Sequence, residues 1–537
     1  MRAVCQTSKE GTLMPKRQIE HEVNPWLIAI TVMLATFMEV LDTSVANVAL
    51  PHIAGNLAST VDESTWVLTS YLVSNAIVLP LSGFFSTLIG RKRFYMACVA
   101  IFTLSSMLCG MAPTLGMLIL FRIMQGIGGG ALQPVAQAIL VESFPLRKRG
   151  MAMAVYGMGV VAAPIIGPTL GGWITDNFSW RWIFLINIPV GILSLMMTSA
   201  IIFDPPYLVR KTLRDGLKID YIGLALLTTG LAFLEIVMDE GQRRDWMSSK
   251  LIVASGIIAA LALLSVVIWE LRQKEPIIQL RMLQDRNFLL STGTMFLLGF
   301  VLYASTMLLP LFLQTLLGYT ALQSGLVLSP GGMAIIVLMP VVGYLLARHE
   351  ARWLVIFGLL VSSFGLFQMA HFNLDVDRHT AMMARIVQSA GLAFLFVPIN
   401  TLAFAFVPKE KTNYATGIIN LARNIGGSCG IAMVSTMLAR RAQFHQQTLV
   451  SHLTPVDPAY NDALHGIAST LMAKGADAVQ AMQQAIGVIY GLVGRQAMMK
   501  AFIDNFWLLG VTFLAVIPLI FFMRSAGAHK SDPAPMH

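Results

Sequence analysis

Long apolar runs separated by short polar breaks divide this chain, and that pattern leaves few folds open to it. A helix crossing the roughly 30 Å hydrocarbon core of a bilayer needs about 20 predominantly apolar residues. Fourteen runs meet that need, near 26–50, 64–86, 94–112, 115–140, 151–174, 182–203, 220–238, 250–270, 288–314, 321–347, 352–371, 380–406, 414–439 and 504–523. Only 12% of the 537 residues are charged, against about 25% in soluble domains. In lipid, each backbone polar group must be satisfied within its own segment, so an all-α polytopic membrane protein with 14 spans is expected.

The formal charge of +9 would suit a nucleic-acid binder. The basic residues, however, sit in short clusters between apolar runs, with no basic stripe interleaved with aromatics, so no nucleic-acid partner is expected. With the N-terminus inside, Arg91-Lys92-Arg93, Arg147-Lys148-Arg149, Arg210, Lys211, Arg214, Lys218, Lys274, Arg348, Arg352, Lys409 and Lys411 all become cytoplasmic. That is the positive-inside pattern, and it places both termini in the cytoplasm. The first run is of full span length and follows a polar stretch, unlike a cleavable signal. The cysteines are Cys5, Cys98, Cys109 and Cys429, with no CxxC or Cys/His cluster. Neither a disulfide framework, a metal site nor a cofactor is expected. No P-loop or nucleophile elbow occurs, so the chain does not read as an enzyme.

Two matches reveal an internal repeat. Arg122-Ile-Met-Gln125 in span 4 returns as Arg385-Ile-Val-Gln388 in span 12, and Gly83 to Arg93 resembles Gly343 to Arg352. Both imply a shift of eight spans, which six-helix halves with two inserted spans would produce; such repeats mark two-halved transporters. The expected division is a cytoplasmic tail (1–25), an N-terminal half (26–203), a linker with two inserted spans (204–287), a C-terminal half (288–523) and a second tail (524–537). Residues 440–503 read as one long outer loop with helix-like pieces around 457–473 and 475–493.

Charged residues deep in apolar runs are costly and mark functional positions. In span 1, Glu39 and Asp42 are three residues apart and share a helix face. A carboxylate that alternates between a dry pocket and a nearby cation can load and release a proton. The alternative is a fixed carboxylate that locks helices together. Arg122 lies at a similar depth in span 4 and is the expected partner of Asp42. Span 9, the counterpart of span 1, has no acidic residue, so proton coupling is assigned to the first half. Asn47, Gln125, Gln133, Arg385, Asn420, Arg423 and Asn424 are assigned to the substrate cavity or its gating. Glu235 is a weaker coupling residue, and Asp239 is expected at the outer surface.

Gly167-Pro168 and Gly171-Gly172 in span 5 suit a helix that bends and packs closely on a neighbour. Ordinary close packing would use the same residues. Gly83, Gly90, Arg91 and Lys92 form a tight link between spans 2 and 3, its basic residues facing lipid headgroups or helix C-termini.

In order along the chain, the span-1 string Leu41 to Pro51, Arg122 to Gly126, Gly167-Pro168 with Gly171-Gly172, and Trp180-Arg181-Trp182-Ile183-Phe184-Leu185-Ile186-Asn187-Ile188-Pro189 resemble the major facilitator superfamily. The likeness is to its fourteen-span drug:proton antiporter branch, the EmrB/QacA group, and runs from Trp26 to Arg524. It implies a major facilitator fold that exports lipophilic small molecules in exchange for protons, with no cofactor beyond the proton gradient. It also associates Asp42 and Arg122 with coupling, and the span-5 motif with antiport. EmrB-like pumps work with an EmrA-type periplasmic adaptor and a TolC-type outer-membrane channel, which implies a bacterial inner membrane. The alternatives are a dedicated exporter of one metabolite, such as a fatty acid or siderophore, and a membrane sensor that moves nothing. The superfamily pattern after span 2 carries an Asp where this chain has Thr87, so that residue's gating role does not carry over.

Overall fold

The computed structural model describes residues 24–145, 148–204, 220–273, 276–408, 411–454 and 456–523. Of the expected tails, residues 1–23 and 524–537 lie outside these residues. So do Cys5, Arg147, Lys274, Lys409 and the basic linker segment containing Arg210, Lys211, Arg214 and Lys218. The described residues are helical and include no strand. In chain order the helices are α1 (Pro25–Asn56), α2 (Val61–Ser64), α3 (Trp66–Ile89), α4 (Arg91–Met111), α5 (Leu115–Gly129), α6 (Leu132–Ser143), α7 (Arg149–Asn177), α8 (Trp182–Leu185), α9 (Asn187–Ile201) and α10 (Tyr221–Glu240). There follow α11 (Lys250–Arg272), α12 (Arg286–Thr315), α13 (Ala321–Leu346), α14 (Ala351–Met369), α15 (Arg378–Phe404), α16 (Thr412–Ser451), α17 (Pro458–Ala473) and α18 (Ala478–Phe521).

Local signals set the helix starts. Asn24 accepts from the Trp26 N–H ahead of Pro25, and Asp285 caps α12 through the Phe288 N–H at 2.8 Å. Thr320 and Gln323 form a reciprocal capping box on α13. Gly90, at φ 93°, turns α3 into α4, a backbone shape that favours glycine.

Length and composition qualify twelve helical segments to cross a membrane, or thirteen with α7, which bends by 46° after Pro164. The remaining expected span lies in α16, 40 residues long, where Asn413, Asn420, Arg423 and Asn424 give a polar face. That face is buried against the other half of the molecule rather than turned to lipid. By contrast, Ile257, Leu261, Leu264 and Ile268 of α11 are exposed, as lipid-facing side chains should be.

The repeat is visible in packing. In the first half α1 packs on α7, α3 and α4 on α5, and α4 on α9; in the second α12 packs on α16, α13 and α14 on α15, and α14 on α18. The halves meet where α7 lies along α13 and α16 lies along α3 and α6. The inserted pair α10–α11 touches both halves through α10, on α3 and α16.

The segment 440–503 differs from a loop. Helix α16 continues to Ser451, α18 begins at Ala478 and runs unbroken into the last span, and α17 packs back on α18. Leu464, Ala468, Ala481, Ala485 and Ile489 give this hairpin its own small core. The reading from hydropathy ended these helices where they leave the apolar zone, although nothing in the backbone breaks there.

A candidate coupling site of buried carboxylates and arginines

Helix α1 presents Glu39 and Asp42 to the interior, both 3% exposed. The Asp42 carboxylate is fully enclosed by donors. Its Oδ2 accepts from Arg122 Nη1 at 2.6 Å, and its Oδ1 accepts from Gln125 Nε2 at 3.0 Å and Asn187 Nδ2 at 2.8 Å. Arg122 also donates to Gln125 Oε1 (2.9 Å) and, through Nε, to the Val67 carbonyl (2.9 Å). One guanidinium thereby ties α1, α3 and α5 together, and Asn187 adds α9. The expected pairing of Asp42 with Arg122 is therefore a direct contact.

Glu39 faces a second, separate set of partners. It accepts from Tyr71 Oη at 3.1 Å, Asn75 Nδ2 at 3.1 Å and Gln133 Nε2 at 2.6 Å, all neutral donors. The Tyr71 ring lies 4.2 Å from the Arg122 guanidinium carbon. One tyrosine thus stacks on the cation of the first carboxylate and donates to the second.

In the second half, Arg385 donates to Gln388 Oε1 (2.7 Å), Ser305 Oγ (3.3 Å) and Thr306 Oγ1 (3.0 Å), and Gln388 Nε2 donates to Ser305 Oγ (2.8 Å). Arg385 and Ser305 are 80 residues apart, as are Arg122 and Asp42. The Arg–Gln unit is therefore repeated with a hydroxyl in place of the carboxylate.

The polar face of α16 reaches the first half at three places. Asn420 donates to Gln137 at 2.7 Å, Arg423 donates to Gln133, and Asn424 donates to Asn75 at 3.5 Å. Asn47 stands apart from these networks: it is exposed.

The span-5 motif packs α7 on α1. A Cβ on Gly167 would lie 2.4 Å from Ser44 Cβ, and one on Gly171 3.1 Å from Val45; Ser44 also donates to the Pro164 carbonyl at 3.0 Å. Pro168 is half-buried and Gly172 buried beside them. Gly83, expected in the link between spans 2 and 3, lies within α3 and abuts Tyr414 of α16; the link itself is Gly90. Arg91 pairs with Glu142 through two bonds of 2.5 and 2.9 Å, and Lys92 donates to the Ser199 carbonyl near the end of α9 at 2.6 Å.

Sequence reasoning missed Tyr71, Asn75, Gln137, Glu142 and Asn187. Asn187 was legible as a polar residue inside the Trp180–Pro189 string; the others carry no such local signal. Asp239, expected at the outer surface, is partly buried and accepts from Thr69 of α3. Glu235 accepts from Ser428 of α16 at 2.9 Å. Both acids join the inserted α10 to the halves, because a lone helix must satisfy its buried acids on its neighbours. No cluster of metal-ligating side chains occurs among the described residues.

The sequence model of the Major Facilitator Superfamily matches residues 32–431. The chain belongs to the Major Facilitator Superfamily. It is 36% identical over 498 residues to the fatty acid resistance protein FarB of Neisseria gonorrhoeae, covering 93% of this chain and 96% of FarB. It is 34% identical over 502 residues to the multidrug export protein EmrB of Escherichia coli K12, covering 93% and 95%. Among solved structures, the proton:xylose symporter XylE superposes with a TM-score of 0.60 at 14% identity, covering 94% of this chain and 97% of XylE. The chain is thus a multi-pass membrane transporter of the efflux type, and not an enzyme.

Proposed function

We propose that this transporter exports lipophilic toxic compounds in exchange for protons. The observation that carries the reading is the enclosed Asp42–Arg122 pair, whose counterpart in the other half has Ser305 where Asp42 would stand. A proton arriving on Asp42 removes the charge that holds Arg122, and the helices α1, α3, α5 and α9 joined at that point are released to move. Such an element has two states, one per protonation state of Asp42. Glu39 is the second proton-carrying position, reached through Tyr71. The names of EmrB and FarB support multidrug and fatty-acid substrates respectively. The greater identity to FarB favours a dedicated fatty-acid exporter as the second reading.

The halves touch at Gly83–Tyr414, Gly150–Leu346 and Gln137–Asn400 toward the end bearing Arg91 and Arg149, and at Thr169–Ser329 toward the other end. With the end bearing Arg91 and Arg149 in the cytoplasm, as the basic clusters require, both termini lie on the cytoplasmic side of a bacterial inner membrane. The hairpin of α16, α17 and α18 then stands in the periplasm, where an EmrA-type adaptor leading to a TolC-type channel would dock.

The test is substrate-induced proton movement in proteoliposomes, comparing the natural protein with Asp42→Asn. Proton movement on addition of a fatty acid or a lipophilic drug, absent in the variant, is the expected result. Undiminished proton movement with Asp42→Asn would overturn the assignment.

A further inference from the structure

Among the described residues, three arginines are buried to 1% exposure or less: Arg122, Arg385 and Arg423. Arg122 has Asp42. No ion pair among the described residues includes Arg385 or Arg423. Arg385 is held by acceptors of its own half, Ser305, Thr306 and Gln388. Arg423 is held differently. Its Nη2 donates across the boundary to Gln133 Oε1, while its Nε, like that of Arg385, has no partner. Its guanidinium lies 5.9 Å from the centre of the Phe396 ring, with the hydroxyls of Tyr156 and Tyr303 as further neutral partners. A cation so deep in a bundle with only neutral partners is costly and marks a ligand or ion path.

The same Gln133 donates its Nε2 to Glu39 at 2.6 Å. One amide therefore holds the cation of the second half with its oxygen and the carboxylate of the first with its nitrogen. A guanidinium presents a planar fork of donors that fits a carboxylate through two parallel bonds, which a single amide oxygen cannot match.

We propose that Arg423 is the docking point for the anionic group of the transported compound, a carboxylate on a lipophilic body, which displaces Gln133 from the guanidinium. The rings of Phe396, Tyr156 and Tyr303 supply the apolar surface around it. Displacement frees Gln133 from one of its two side-chain partners, so substrate arrival is communicated to Glu39 through Gln133. This deepens the export reading and rests on it.

The test is calorimetric titration of the full chain in lipid nanodiscs with decanoate and with decanol, subtracting empty nanodiscs. The natural protein is expected to bind decanoate more tightly than decanol. Loss of a charge-assisted bond should weaken decanoate by about ten- to hundredfold in Arg423→Gln, with decanol far less affected. Gln133→Glu, which gives Arg423 an internal carboxylate and keeps the side chain's size, should weaken decanoate in the same selective way. Absence of decanoate binding by the natural protein, equal weakening of both ligands, or selective loss only in Arg385→Gln would each overturn the proposal. Selective decanoate binding without proton movement in proteoliposomes would instead refute proton-coupled export and leave the Arg423 site standing.

Discussion

Gln137 of α6 donates to Asn400 of α15 across the boundary between the halves, and the two residues, 263 apart, lie within one residue of equivalent places in the internal repeat. Arg122 and Arg385 have the same separation, as do Gln125 and Gln388. The contact thus sits where the two halves meet like for like. Any rocking of one half against the other must break it. A Gln137→Cys/Asn400→Cys variant joined through two disulfides by a short bis-thiosulfonate reagent should lose transport and regain it on reduction. Full transport by the joined protein would show that the two halves do not separate there.

The Asp42–Arg122 pair should behave as a unit in stability. Asp42→Asn leaves a buried guanidinium unpaired, and Arg122→Gln leaves a buried carboxylate, each expected to cost about 3–5 kcal/mol. The double variant removes both charges and should be destabilised by less than the sum of the two. Unfolding of all three in detergent, followed by intrinsic fluorescence, measures the coupling; strict additivity would contradict it. Transport should be lost in all three.

Gly167→Ala should disturb the α1–α7 contact more than Gly171→Ala, because its added methyl would lie 2.4 Å from Ser44 rather than 3.1 Å from Val45. Overpacking of this kind costs about 1–3 kcal/mol. Adding Ser44→Gly to Gly167→Ala should recover much of both stability and transport rate. A Gly167→Ala protein as active and as stable as the natural one would refute the packing argument.

Asp377 caps α15 outside the spans. Its carboxylate accepts from the Thr380 hydroxyl at 2.5 Å and from the Thr380 and His379 N–H groups, which holds it below the usual carboxylate range. The native value is the depressed one. Its stabilisation is therefore complete above the ordinary carboxylate pKa of about 3.9 and is lost as pH falls through the native value. Asp377→Ala should lower the melting temperature at neutral pH, with the gap closing at the acid end. A gap that is constant with pH would argue against the cap.

The parts legible in the sequence were those where composition is extreme. Asp42, Arg122 and Arg385 stood out because charge is rare inside apolar runs, and the Arg–Gln spacing exposed the repeat. Tyr71, Asn75, Gln137 and Asn400 are uncharged, and such residues in a span can face a partner, a cavity or their own backbone equally well. Glu142 was hidden because its partner Arg91 lies 51 residues away. The span in α16 was legible as a span, but not why it tolerates Arg423: the compensating amide comes from the other half. The helical pieces of the hairpin were legible, but not their continuity with the spans of α16 and α18, because hydropathy records where a helix meets lipid and not where it ends.

That hairpin has a mechanical consequence. At 1.5 Å per residue, the 44 residues of α18 make a rod of about 66 Å, more than twice the roughly 30 Å thickness of the hydrocarbon core. Its membrane part packs on α14 and α16, and its outer part on α17. With no hinge between them, tilting of the second half swings the outer tip through a larger arc, as a lever does. A protein gripping that tip would feel each transport cycle as a displacement, and by holding the tip still it would resist the cycle.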